Sequence, residues 1–362
     1  MHLRQLWLTN FRSYSSIHVE LPAGLCAVLG PNGVGKSNLL EAVNYAATLA
    51  SFRGAPQDAL VKADEPSAVV RAEVGTADRE HLIELEINRV GRNRAQLDRQ
   101  RLQRASDLYD ALRVTVFAPD DLDLLKGGPQ VRRTYLDQSI VAERPITDGV
   151  RTDFERALKQ RNALLKQCRG HLDDAAAVTL DVWDSKFAAV GEQLVDLRSD
   201  FAHRLSPLIT QAYTDVATER ADVQLVYQRS WSPGSLLESM TAARSDDLRR
   251  GVTTVGPHRD DLLVMLNGLP SRTHASQGEQ RSLALAMRLG VHRLITDRIG
   301  VPPVLLLDDV FSELDPDRSA ALLQSLPAGQ TLLSSAVGLP TGLGADLIVD
   351  VTPGELTVRT SS

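Results

Sequence analysis

The sequence predicts an α/β fold, a mixed sheet around a phosphate-loop core with a helical domain inserted into it. Three observations carry that expectation. A glycine-rich string, Gly30-Pro31-Asn32-Gly33-Val34-Gly35-Lys36-Ser37, lies between an apolar run and a helical one. A second apolar run, Val304 to Leu307, ends in two carboxylates, Asp308 and Asp309. Between them, over roughly residues 150–215, apolar side chains recur at steps of three and four instead of alternating.

The glycine-rich string has the pattern G-x-x-x-x-G-K-S. Leu25 to Leu29 leads in as a buried strand, and Asn38 to Val43 leads out as the first turns of a helix. Strand, loop and helix are the arrangement that phosphate binding needs. Glycines let successive backbone N–H groups converge on the phosphates, and the helix N-terminus adds positive potential. Lys36 is expected to reach the β- and γ-phosphates, and the Ser37 hydroxyl to ligate Mg²⁺. A nucleoside triphosphate is therefore the expected ligand, held by Gly30, Pro31, Asn32, Gly33, Val34, Gly35, Lys36 and Ser37.

An apolar strand ending in acids is a weak signal alone and a strong one beside a phosphate loop. Asp308 is expected to hold Mg²⁺, directly or through water. Asp309 stands where a general base could polarise the attacking water. Lys36 and Asp309 are thus the candidate catalytic residues.

Ser276-Gln277-Gly278-Glu279-Gln280-Arg281, followed by a helical run to Leu294, resembles the signature motif of the ATP-binding-cassette superfamily. Ser276 with Glu279 also makes a capping box, which any helix start can carry. Ser312-Glu313-Leu314-Asp315 follows the acid strand where that superfamily has its D-loop. The resemblance implies ATP as the nucleotide and an ABC-type P-loop ATPase head. Ser276 and Gly278 would then contact the γ-phosphate held by another subunit. One phosphate loop and one signature per chain imply a two-fold dimer with two nucleotides sandwiched in it.

Composition agrees with a soluble ATPase. The chain has 362 residues, 43% hydrophobic and 24% charged, enough for a large core. Its net charge of −6 means that any nucleic-acid contact needs a local basic surface. Cys26 and Cys168 suggest neither a disulfide framework nor a metal site. No stretch has the length of a membrane helix, and Met1 to Leu6 is too polar for a signal peptide, so a cytoplasmic protein is expected. Residues 1 to about 140 read mainly as strands around the one loop-and-helix unit. Leu180, Trp183, Phe187, Val190, Leu194, Leu197, Phe201, Leu205 and Leu208 then mark one long amphipathic helix, partnered by Phe154, Leu158 and Leu165. The expected organisation is an N-terminal lobe over 1–145, a helical insertion over 146–250 and a C-terminal lobe over 251–362. That insertion is too short for the long coiled coils of chromosome-organising relatives.

Longer strings are similar to those of the RecF family of bacterial recombination mediators. They are Leu6-Trp7-Leu8-Thr9-Asn10-Phe11-Arg12-Ser13-Tyr14; Phe117 to Leu122; Lys126 to Pro129; Arg132 to Asp137; Gly256-Pro257-His258-Arg259-Asp260-Asp261; and Leu306 to Asp315. They run in order through most of the chain. The resemblance implies an ATP-dependent clamp on duplex DNA or single-strand/duplex junctions. It implies that RecO and RecR join it in loading RecA, support for SOS induction, slow DNA-stimulated hydrolysis, and neither nuclease nor helicase activity. It also implies a nucleoid-associated place in the cytoplasm and no membrane partner.

Cassette transporters place a histidine after the strand at Thr331 to Leu333, where this chain has Ser334-Ser335. Neither that histidine nor a membrane-coupling groove is apparent, which opposes a transport ATPase. Gln57 is a candidate Q-loop residue by order, although a surface-loop role suits it as well. His258-Arg259-Asp260-Asp261 can be read as an acid–base cluster, but its place in the string favours a structural or nucleotide-sensing loop. Arg132 and Arg133 could grip a phosphate backbone or be ion-paired.

Overall fold

A computed structural model describes residues 1–76, 79–217, 219–231, 234–312, 314–340 and 342–360. The chain forms two compact units. The first comprises Met1–Leu122, Gln211–Arg220 and Ser276–Ser362, the second Asp123–Thr210 and Ala221–Ala275.

The first unit is built on two six-stranded sheets. One is antiparallel, in the order Tyr14–Glu20, His2–Phe11, Ser67–Gly75, Glu80–Asn88, Arg94–Leu97, Gln100–Arg101. Its strands alternate because only one face is covered: Leu3, Leu6, Leu8, Val70, Ala72, Ile83 and Leu85 are buried. On the other face Trp7 stacks on His18 with ring centroids 4.8 Å apart.

The second sheet runs Glu355–Thr360, Leu347–Thr352, Leu25–Leu29, Thr331–Ser335, Val304–Asp308, Val114–Phe117, parallel except for its first strand. Thr331–Ser335 and Val304–Asp308 are buried at every residue, the second as the apolar run Val304–Leu307 ending in Asp308 and the first with Leu332 and Leu333 between hydroxyl residues. Helix Lys36–Thr48 contacts strands of both sheets and buries ten of its thirteen residues. Gln330 stitches the sheets together: its side chain exchanges two 2.7 Å hydrogen bonds with the Leu3 backbone and donates a third to the Pro22 carbonyl at 2.7 Å. Cys26 is a buried core residue whose thiol burial pushes up to about 12.

The second unit joins helices Pro129–Glu143, Asp148–Cys168 and Leu236–Arg250, most of the helix Asp174–Ala217, and the antiparallel strands Val223–Gln228, Asp261–Leu266 and Leu269–Pro270. The long helix has 44 residues. Leu180, Phe187, Leu194, Phe201 and Leu205 are buried along it, and Trp183, Val190, Leu197 and Leu208 half-buried. Phe154 meets Phe187 at 5.0 Å between ring centroids, and Leu158 packs against the same cluster.

Two expectations about organisation need correction. Residues 1 to 140 are not mainly strand after the phosphate loop, because Pro129–Glu143 is a helix with proline at its first position. Its buried residues Arg132, Tyr135, Leu136, Ser139, Ile140, Val141, Ala142 and Glu143 include three polar ones, Arg132, Ser139 and Glu143, which interrupt the apolar period. The units also divide after Leu122 and Ala275, not at 145 and 250. Ion pairs set that limit: Arg132 grips Asp261 at 2.7 and 2.9 Å, and Arg198 grips Asp137 at 2.7 Å twice. The two expected lobes, moreover, share one parallel sheet. Among the described residues no helix is long and apolar enough to cross a membrane.

Candidate functional site

The phosphate loop leaves its strand at Gly30 and enters its helix at Gly35, both at positive φ (153° and 120°). Close approach matters as much as dihedral: a Cβ on Gly30 would fall 2.4 Å from the Val351 carbonyl oxygen, and one on Gly35 2.7 Å from the Ser13 hydroxyl. The N-terminal string supplies the supports. Tyr14 Oη donates to the Gly35 carbonyl at 2.9 Å, and Asn38 donates to Ser13 Oγ at 3.0 Å. Arg12 grips the fully buried Glu41 of the loop's helix through two bonds of 2.7 and 2.8 Å. These supports depend on contacts 20 to 30 positions apart, and the pattern of the string alone does not reveal them.

Lys36 is 5% exposed, and its ammonium donates to the carbonyls of Gly30 at 2.8 Å and Pro31 at 2.9 Å. Asn32 Oδ1 lies at 3.5 Å. These acceptors are neutral, and among the described residues Lys36 makes no ion pair. A buried cation without a counter-charge, on a loop whose Pro31, Asn32 and Gly33 are exposed, fits an anionic polyphosphate.

Two strands away, Asp308 ends the acid strand. Its Oδ1 accepts from Ser37 Oγ at 2.8 Å and from Ser334 Oγ at 2.7 Å. Ser334 lies on the intervening strand, and its hydroxyl also accepts the Asp309 N–H at 3.0 Å. Among the described residues no group of three or more histidines, cysteines and acids could hold a metal. The donor set nevertheless fits Mg²⁺, which characteristically takes one or two protein ligands and completes its shell from phosphate oxygens and water. Ser37 and Asp308 are the residues that would hold it.

Asp309 sits at φ 50°, a left-handed conformation unusual outside glycine. Its backbone is over-determined: Ser334 takes its N–H, and its carbonyl accepts from Ser312 Oγ at 2.7 Å. With Phe117, Pro119, Arg281 and Leu314 it lines a shallow cleft. Of the two serines in the transporters' histidine region, only Ser334 reaches the acids, because Ser335 Oγ donates to the Gly338 carbonyl at 2.7 Å.

The signature residues form a second cluster in the same unit. Ser276 caps helix Gln277–Ile299 and Glu279 closes the box: Ser276 Oγ accepts the Glu279 N–H at 3.3 Å, and Glu279 accepts the Ser276 N–H at 2.7 Å. Those bonds to Ser276 hold the Glu279 carboxyl below its ordinary range. The neighbours of Gly278 are the guanidinium atoms of Arg318. Asp315 of the D-loop caps the next helix, Pro316–Ser325, while Glu313 lies outside the described residues. The signature helix is anchored by Arg288, which donates twice to the buried Asp121 of the Phe117–Leu122 string at 3.0 and 2.6 Å. The structure thus brings Lys36, Ser37, Asp308 and Asp309 to one corner, with Ser276 and Gly278 in a separate group. The sequence places Ser334 only in the transporters' histidine region, and its grip on both acids has no local signal; Arg318, an arginine after a D-loop, carries none either.

Other singled-out residues have structural roles. Gln57 donates to the backbone carbonyls of Asn88 and Gly91. In the second unit His258 packs against Phe154 and Phe187 with Nε2 3.0 Å from the Thr253 carbonyl, and burial pushes it down to about 4. Asp260 accepts from Tyr227 Oη at 2.6 Å, and Arg133 donates to the Asp260 carbonyl at 2.7 Å. Arg132 and Arg133 are therefore both engaged within the unit.

Comparison with known proteins agrees with this geometry. Residues 2–333 match the model of the RecF/RecN/SMC N terminal domain. The DNA replication and repair protein RecF of Streptomyces avermitilis is 42% identical over 350 residues, 93% of each chain. That of Frankia alni is 42% identical over 360 residues, 93% of this chain and 94% of the other. A solved structure of the recombination mediator protein RecF with ATP, in the RecFOR pathway, superposes with a TM-score of 0.91 at 28% identity, over 99% of this chain and 98% of that one. An Smc head domain from Pyrococcus furiosus gives 0.57 at 17% identity, over 100% and 96%, a likeness of fold alone. A glycine-rich loop, an acid strand two strands away and a capped signature helix, in a chain this similar to these proteins over nearly its whole length, place it in the RecF family of DNA replication and repair proteins, on the ABC-type head fold.

Proposed function

We propose that the chain is an ATP-gated DNA clamp of recombinational repair. The observation that carries this is the pairing, in one compact unit, of a complete phosphate and Mg²⁺ corner with a separate signature group. Each is complete once, so two copies in two-fold relation would supply two sandwiched nucleotides. RecF solved with ATP, from the same family, supports ATP as that nucleotide.

In this reading Lys36 exchanges its loop carbonyls for the β- and γ-phosphates, and the loop N–H groups from Gly30 to Ser37 cradle them. Ser37 and Asp308 would hold Mg²⁺, which would supply charge neutralisation on the phosphate oxygens. Asp309 polarises the attacking water, held in place by Ser334. Ser276 and Gly278 meet the γ-phosphate held by the second copy. Because the triphosphate is part of the interface, hydrolysis removes contacts and opens the dimer. The clamp would hold duplex DNA or single-strand/duplex junctions, act with RecO and RecR to load RecA, and support SOS induction. Its turnover would be slow and stimulated by DNA, without nuclease or helicase activity, in the cytoplasm at the nucleoid.

The test is binding to a gapped duplex with ATP, with ADP and without nucleotide, beside Lys36→Arg. A two-to-one complex formed only with ATP, and lost in Lys36→Arg, is expected. Equal binding in all three conditions would show that the nucleotide does not gate DNA.

A further inference from the structure

Arg318 belongs to neither the phosphate corner nor the signature string, yet it touches the second of these. It stands on the first turn of helix Pro316–Ser325, after the D-loop, with its side chain 26% exposed. A Cβ built on Gly278 would fall 2.3 Å from one terminal guanidinium nitrogen and 3.0 Å from Cζ and the other nitrogen. One terminal nitrogen of the guanidinium therefore abuts the signature glycine, with the rest of the group close behind. It also pairs with Asp315 at 3.2 Å, while Asp315 accepts the Arg318 backbone N–H at 2.9 Å.

Gly278 is not needed for a left-handed backbone, since it is absent from the positive-φ glycines. What its missing side chain provides is room, and Arg318 fills that room. The chain path from Gly278 to Asp315 runs through a helix, a strand and a turn, which leaves the two loops without a short covalent link. A guanidinium spreads several N–H donors over a rigid fork, so it can bond a carboxylate while filling the space over a glycine; a compact ammonium has no fork to do both.

We propose that Arg318 is a positioning residue that locks the signature N-terminus to the D-loop, so that a γ-phosphate engaged by one sets the position of both. This rests on the dimer reading above. Arg318 acts through Gly278 and Asp315; it is not itself assigned to the phosphate.

The experiment measures ATP-dependent self-association and steady-state hydrolysis for the parent, Arg318→Ala, Arg318→Lys, Gly278→Ala and the double variant Gly278→Ala/Arg318→Ala. ATP affinity of the monomeric chain serves as the folding control and is expected within about twofold of the parent, because the phosphate corner is untouched. Arg318→Ala is expected to weaken association about tenfold and lower kcat, with Lys failing to restore either. Gly278→Ala should do the same, since its methyl displaces a flexible side-chain end. The double variant should be no worse than either single, because both remove one contact. Parent-like association in Arg318→Ala, or additive losses in the double, would overturn the coupling while leaving the dimer intact. A parent that does not associate with ATP would overturn the dimer reading, and the coupling with it.

Discussion

Lys36 and Arg161 are both buried cations, and their neighbours are of opposite kinds. Lys36 rests on neutral carbonyls of its own loop. Arg161, fully buried in the second unit, bonds Asp184 at 2.6 Å, Asp247 at 2.7 Å and Thr253 Oγ1 at 2.9 Å. Arg244 completes the set by bonding Asp184 at 2.6 Å, so two arginines face two buried aspartates. A charge matched by fixed opposite charges has no reason to move. A charge held by carbonyls loses little on transfer to phosphate. The same contrast separates the two acid strings: Asp308 accepts from two hydroxyls, whereas Asp261 is spent on Arg132. Burial of charge does not mark a ligand site; replaceable partners do.

The largest expected effect lies on the structural side of that contrast. Asp247→Ala leaves Arg161 short of a partner and should cost about 3–5 kcal/mol of stability. Denaturant unfolding measures it, and a loss below about 1 kcal/mol would erase the distinction. Lys36→Ala should behave in the opposite way, losing roughly 10²- to 10³-fold in ATP turnover while its unfolding midpoint stays within about 1 kcal/mol of the parent. A large stability loss there would mean that the loop needs its lysine to fold. Ser334→Ala tests the hydroxyl that holds both acids. It should lower kcat about tenfold with KM little changed, and Ser334→Thr should recover most of it. A change in KM alone would place Ser334 in nucleotide binding instead.

A last effect is in pH, and it compares the two units directly. Burial pushes His258 of the second unit and His292 of the first down to about 4, from 6.5. Both are neutral when folded at neutral pH, and the unfolded chain takes up a proton first as pH falls. Stability from this source is full above pH 6.5 and is lost as pH drops from 6.5 towards 4, by at most about 1.4 kcal/mol per pH unit for each histidine. Denaturant midpoints at pH 7 and pH 5 for the parent, His258→Gln and His292→Gln give the two shares. A pH slope that survives both substitutions would assign acid sensitivity to other groups.

Legibility followed sequence distance. The phosphate loop could be read because its chemistry is a backbone path, encoded in eight consecutive residues between a strand and a helix. The acid strand and the capped signature are local in the same sense. The helix Pro129–Glu143 is masked in the sequence because Arg132 and Glu143, ion-paired to other elements, and Ser139 interrupt the apolar period of its buried face. The unit boundaries are hidden for the same reason, since ion pairs between segments 61 and 129 residues apart leave no local trace.

By itself, then, the sequence determined the local units: the glycines that let the loop turn, the strand that ends in acids, the serine and glutamate that start the signature helix, and the stripe of the long helix. Only the tertiary structure decided what these units face. Gln330 meeting the Leu3 backbone joins distant chain segments into one unit, Asp308 takes the hydroxyls of both Ser37 and Ser334 while Ser334 takes the Asp309 N–H, and Arg318 occupies the space over Gly278. The physical reason is range. Turns, caps and periodicity arise from neighbours along the chain, whereas the partner of a buried polar group is chosen by packing in three dimensions.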